Sequence, residues 1–143
     1  MRIQKGSYIL EKKKRYTDYN SYLRNLFGER VQKISVDAGL SCPNRDGSLS
    51  HDGCIYCNAK GSGSGLFEKG LSIKEQIERG RIGAVKKYKS KKYLAYFQSY
   101  SNTYTSVEHM RQMFDEAFSC EGVVGMAVGT RPFGRTGIQV PIL

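Results

Sequence analysis

Two uninterrupted apolar runs, Tyr93-Leu94-Ala95-Tyr96-Phe97 and Val123-Val124-Gly125-Met126-Ala127-Val128, constrain this chain more than any other feature. Short runs without polar alternation suit strands buried on both faces, and such strands belong to parallel sheets covered by helices. Each run follows a segment with helical period. Ser72-Ile73-Lys74-Glu75 has the spacing of a capping box, and Ile73, Ile77, Ala84 and Tyr88 continue it as one stripe to about Lys89. Thr105-Ser106-Val107-Glu108 repeats the box, Val107, Met110, Phe114 and Ala117 form a second stripe, and Gly122 is expected to close that helix. Upstream, Val31 to Val36 reads as a first strand. Before it, Tyr19, Tyr22, Leu23, Leu26 and Phe27 share one helical face, with Thr17 or Asp18 as cap and Gly28 as stop. The predicted order is helix, strand, long loop, helix, strand, helix, strand. That is an α/β chain of parallel strands joined by right-handed crossover helices.

The long loop breaks this rhythm. A polar stretch from Ser41 to Gly65 separates the first strand from the first capping box and holds Cys42, Cys54 and Cys57, three of the four cysteines. A connection of that length in a compact domain is usually functional. It also leaves the carboxyl end of a strand, where parallel α/β folds build their sites. The cysteines are spaced C-x11-C-x2-C. Thiolates are soft ligands suited to iron–sulfur clusters, zinc or Cu(I). A closed structural zinc site wants four ligands, whereas three thiolates on a four-iron cluster leave one iron open to a small molecule. The zinc alternative takes Cys42, His51, Cys54 and Cys57. Cys120, near a helix end, reads as a bystander, and His109 as an exposed or packed helix residue.

The chain has 143 residues and a formal net charge of +10, from 23 Lys and Arg against 13 Asp and Glu. This length predicts one domain. No run approaches the roughly 18 apolar residues of a membrane span. Met1-Arg2-Ile3-Gln4-Lys5-Gly6 has no apolar stretch behind its charges, so no secretory signal is expected. Cysteines in a chain without an export signal point to the reducing cytosol and a cytoplasmic protein. The positive excess fits an anionic partner such as nucleic acid, and fits a solvated basic surface equally well. It concentrates in Lys12-Lys13-Lys14-Arg15 and in Lys86 to Lys92, where a helix C-terminus also favours cations.

Five segments together resemble the amino-terminal part of radical S-adenosylmethionine (radical SAM) proteins. They are Asp37-Ala38-Gly39, Cys42-Pro43-Asn44-Arg45-Asp46-Gly47, Gly53-Cys54-Ile55-Tyr56-Cys57-Asn58, Tyr96 to Tyr104, and Gly129-Thr130-Arg131-Pro132. The resemblance is strongest to an uncharacterised bacterial group related to the catalytic subunit of Elongator, which shares the wide first cysteine gap. It implies a [4Fe-4S] cluster on Cys42, Cys54 and Cys57, and S-adenosylmethionine chelated by the open iron. It further implies reductive cleavage to a 5′-deoxyadenosyl radical, with an electron from a reductant protein such as flavodoxin or ferredoxin. In such a family Tyr56 lies near the adenine, and Gln98, Asn102 and Thr103 meet the methionine end of the cofactor. The side chains of Gln98 and Asn102 offer both donors and acceptors, as an amino acid headgroup requires. Packing for Tyr56 and turn chemistry for Gln98 and Asn102 stand beside those roles. Thr130 and Arg131 are expected toward the substrate side or the cofactor. The Elongator relationship makes tRNA or another nucleic acid the expected partner of the basic runs.

The expected layout is a basic lead-in and helix over 1–30, a partial radical SAM (β/α) barrel core over 31–132, and an atypical tail over 133–143. Three strands and two crossovers are half a barrel at most, since a complete one takes roughly 200 residues or more. The tail has neither period nor cap, so truncation or a frameshift is expected there, and an inactive fragment is a further reading.

Overall fold

The computed structural model describes residues 15–59 and 61–131. Most of the basic lead-in, including Lys12, Lys13 and Lys14, lies outside the described residues, as does the tail over 133–143.

The elements are α1 (Tyr19–Phe27), β1 (Val31–Val36), α2 (Ile73–Tyr88), β2 (Lys92–Phe97), α3 (Val107–Phe118) and β3 (Val123–Val128). A single 3-10 turn, Phe67–Lys69, interrupts the long connection before α2. The strands form one parallel sheet in the order β1-β2-β3. Val31 pairs with Lys92 and Val36 with Phe97, and on the other side Phe97 pairs with Val128. The predicted α/β class and parallel sheet are therefore present.

Local chemistry sets the helix ends. The Asp18 carboxylate accepts from the Ser21 amide at 3.0 Å and caps α1, while Gly28 closes it at φ 78°. The Ser72–Glu75 box forms in both directions, at 3.2 and 2.8 Å. The second expected box does not form. Ser106, not Thr105, is the N-cap of α3, its hydroxyl accepting from the His109 amide at 3.2 Å. The helix thus starts one residue later, and Glu108 sits in the first turn without reaching back to the cap. Nor does Gly122 close α3. That helix ends at Phe118 with Ser119 as its C-cap, and Gly122 instead turns the chain into β3, its carbonyl accepting from the Tyr93 amide at 2.8 Å.

α2 and α3 cover one face of the sheet. Ile34, Val36, Ala95 and Phe97 meet Ile73, Ile77, Met110, Met113 and Ala117 in the main core, and Phe97 and Phe114 pack edge to face at 5.3 Å. Burying each large aliphatic side chain stabilises by roughly 1.5–3 kcal/mol. The α3 stripe is shifted from the predicted one: Met113 is buried and Val107 is exposed. α1 lies on the opposite face, at its amino end only, through Leu23 against Val31 and Leu94. Tyr19, Tyr22 and Leu26, expected on its buried face, point outward because α1 covers so little sheet. β3, which like β1 is an edge strand, is half-buried along its whole length rather than fully buried.

Candidate functional site

The long connection leaves β1 at Asp37, whose backbone is fixed by a buried side chain. Gln76 of α2 accepts from the Asp37 amide at 2.8 Å, and its amide group donates to the Asp37 carbonyl at 2.8 Å and the Leu71 carbonyl at 3.0 Å. Beyond this bolt the loop folds on itself. The Cys42 carbonyl accepts from the amides of Arg45 and Asp46, and Gly53 donates to the Asn44 carbonyl at 2.8 Å. Arg45 then staples the second half of the loop to the first. Its guanidinium donates to the carbonyls of Cys57 at 3.0 Å and Asn58 at 2.7 Å. The Cys57 amide donates to the Cys54 carbonyl at 2.8 Å, closing the turn that carries the C-x2-C pair.

This folding brings Cys42, Cys54 and Cys57 onto one open cleft of about 250 Å³. The carboxyl ends of the other strands complete it, with Tyr96, Gln98 and Tyr100 after β2 and Gly129, Thr130 and Arg131 after β3. All three thiols are free, Cys42 buried and the other two half-buried. Among the described residues, no carboxylate or imidazole lines the cleft. Among the described residues, no three His, Cys, Asp or Glu side chains stand close enough to hold a single metal ion. His51, the fourth ligand of the zinc alternative, is exposed and absent from the cleft wall.

Cys54 is the most engaged thiol. Arg131 donates to its sulfur, and the Asn44 amide approaches it at 3.5 Å. The Arg131 hydrogen bond, with that of Tyr56 second, holds the Cys54 thiol below its ordinary pKa of 9.0. The same contact pushes the Tyr56 phenol up, since a neighbouring thiolate disfavours a phenolate. Electron-rich sulfur beside a guanidinium is an environment that keeps a thiolate ready as a ligand.

The remaining expected site residues divide. Tyr56 and Gln98 line the cleft, Tyr56 largely exposed. Asn102 does not. It is fully buried, and its amide nitrogen donates to the carbonyls of Phe97, Ser99 and Gly129 at 3.0–3.1 Å. Thr103 is not among the residues lining the cleft either, its hydroxyl being bonded to that of Thr130. The turn-chemistry alternative therefore describes Asn102: it ties the ends of β2 and β3 together, from which Gln98 and Arg131 reach the cleft. Cys120 sits in the main core, its thiol pushed up by burial, far along the chain from the cysteine loop. Arg45 and Gln76 were invisible to periodicity, since each acts through backbone carbonyls that no side-chain pattern records.

The basic run lies at the other end of the sheet. Lys86 and Lys87 occupy the last turn of α2, and the Tyr88 ring has Arg30 at 4.5 Å and Lys87 at 5.1 Å. Lys92 turns inward, donating to the Phe27 carbonyl at 2.8 Å beside Glu29 at 3.3 Å. No helix among the described residues is long and apolar enough to cross a membrane.

The chain is similar to the uncharacterized protein YtqA of Bacillus subtilis, 40% identical over 119 residues that make up 83% of this chain and 37% of the relative. It is also 39% identical to protein YhcC of Escherichia coli over 110 residues, 77% of this chain and 34% of that one. It spans about a third of the length of these relatives. No family model and no solved structure matches it.

Proposed function

We propose that this chain carries the cluster-binding half of a radical S-adenosylmethionine protein, the sheet being the first portion of a partial (β/α) barrel. The observation that carries this reading is the convergence of three free thiols, without carboxylate or imidazole, on one cleft at the carboxyl ends of three parallel strands. The donor set fits a [4Fe-4S] cluster better than one ion. Thiolates of a cluster bind different irons and stand further apart than the ligands of a single centre, so the lack of a single-ion grouping is compatible with it. When bound, such a cluster supplies the electron that cleaves S-adenosylmethionine to methionine and a 5′-deoxyadenosyl radical. Cys42, Cys54 and Cys57 would hold it. Arg131 would favour the thiolate form of Cys54, and Arg45 would keep the loop closed around it. Gln98, with a donor and an acceptor on the cleft wall, suits the amino and carboxylate groups of the cofactor, and the exposed Tyr56 ring suits its adenine. A cytoplasmic setting, a flavodoxin- or ferredoxin-like reductant and a nucleic-acid partner at the basic end belong to the same proposal.

Anaerobic reconstitution with iron and sulfide tests it. The parent and the Cys120→Ala variant take up iron and sulfide with a brown chromophore. The combined variant Cys42→Ala, Cys54→Ala, Cys57→Ala takes up neither. Equal iron content in the triple variant and the parent, or stoichiometric zinc in the purified protein with no chromophore, overturns the reading.

A further inference from the structure

Among the described residues, the sheet face that carries α1 is covered only at its amino end, by Leu23 against Val31 and Leu94. Toward the carboxyl end the same face presents Lys33 and Ser35 of β1, then Tyr96 of β2 and Ala127 of β3, because residues paired in parallel register share a face. Lys33 and Ser35 are exposed. Parallel sheets ordinarily bury both faces in apolar contacts. An ammonium and a hydroxyl are unsuited to that, so this half of the face is built to meet something polar.

The geometry narrows what that is. The Lys33 ammonium lies 4.1 Å from the centre of the Tyr96 ring, and Tyr96 is itself part of the cysteine cleft wall. A ring face holds a cation in place without neutralising it. Among the described residues no carboxylate is ion-paired with Lys33. Across from Tyr96 stands Ala127, which leaves the space beside the ring open. We infer that Lys33 and Tyr96 form an oxyanion subsite for the carboxylate or phosphate of a small-molecule substrate lying on the open sheet face next to the cleft. The assignment of that molecule as a substrate rests on the cleft being the reaction centre. The anion binding itself does not.

The test uses the metal-free 143-residue chain with carbon-13-labelled lysine and tyrosine. It is titrated with inorganic phosphate and, separately, with acetate, at ionic strength matched by chloride. Saturable shifts of the Lys33 methylene and Tyr96 ring resonances are expected, and the arm that saturates at lower concentration identifies the anion class. Lys33→Gln weakens the response at least about tenfold, Lys33→Arg retains it, and Lys87→Gln at the far end of the sheet leaves it unchanged. A response in neither arm, one of equal midpoint in Lys33→Gln, or one shared by all surface lysines overturns the subsite. So does a face closed by self-association, seen as concentration-dependent loss of these resonances without added anion. Iron uptake on reconstitution is read separately. Uptake without an anion response refutes the subsite alone, and an anion response without uptake refutes the cluster reading alone.

Discussion

Replacing Gln76 by leucine removes the bolt between α2 and the start of the cysteine loop while nearly keeping side-chain volume. Gln76 is 1% exposed and makes three hydrogen bonds at 2.8–3.0 Å. The substitution leaves the Asp37 amide, the Asp37 carbonyl and the Leu71 carbonyl without these partners. A buried polar group deprived of its partner costs about 1–3 kcal/mol. Three such losses, less some gain from an apolar side chain in the core, give a net destabilisation of roughly 3–5 kcal/mol. That is a large share of the roughly 5–15 kcal/mol that holds a domain together. Urea unfolding followed by far-ultraviolet circular dichroism should show the midpoint falling by about 2 M, given slopes of roughly 1–3 kcal/mol per molar for small proteins. Gln76→Glu separates hydrogen bonding from shape. Its charged form would face two carbonyls, so its folded pKa is raised and the folded state binds the extra proton. Stability of this variant therefore rises as pH falls toward the ordinary glutamate value of about 4.3. A Gln76→Leu midpoint within error of the parent, or a Gln76→Glu variant weakest in acid, would refute the bolt.

Three further outcomes follow from local geometry. At Gly122, φ is 78° and an added Cβ would lie 2.5 Å from the Lys91 carbonyl, whereas Gly28 has the same φ with nothing within 4 Å; Gly122→Ala should therefore destabilise clearly more than Gly28→Ala, whose strain alone is worth about 1 kcal/mol, in the same urea assay. The Glu75 carboxylate is held below its ordinary 4.5 by the Ser72 amide and hydroxyl, so its stabilisation is present at neutral pH and lost as pH falls through the lowered value; Glu75→Gln should flatten the acid limb of a pH–stability curve, and an unchanged limb counts against the capping box. Arg131→Met should return Cys54 toward 9.0, since the Arg131 hydrogen bond is the leading cause of its depression; in the metal-free chain, the pH midpoint for iodoacetamide labelling of Cys54, read by mass spectrometry, should move up, and a fixed midpoint would show that Arg131 does not control it.

What the sequence revealed and what it hid differ in kind. Strands β1 and β3 have the expected bounds, and β2 starts one residue earlier, at Lys92, whose ammonium reaches the Phe27 carbonyl. These elements were legible because burial on one or both faces writes itself into side-chain type. The Thr105 box failed because two adjacent hydroxyls can both cap, and the choice of Ser106 depends on where the chain returns from β2. The depth of β3 was illegible because an apolar run does not say how much of the strand its neighbours cover.

The site follows the same logic one level up. Cysteine spacing picked out the three thiols that share the cleft, but the groups that place them are polar side chains bonded to backbone carbonyls, and any Asn, Gln or Arg in a loop is formally able to do that. Asn102 shows the consequence. As a side chain it matches a cofactor headgroup. As placed, its amide nitrogen serves the carbonyls of Phe97, Ser99 and Gly129 around the ends of β2 and β3, and it does not line the cleft. Gln98 has the same chemistry four residues earlier and faces the cleft, because β2 ends at Phe97 and the next residue emerges on the open wall. The difference between a cleft-facing amide and a structural one is set by the strand end, so substituting Asn102 should act through the positions of Gln98 and Arg131. Asn102→Ala is accordingly expected to lower thermal stability and cluster retention together, whereas Gln98→Ala leaves stability intact. The combination that would contradict this is an Asn102→Ala protein as stable as the parent, with only cofactor binding impaired.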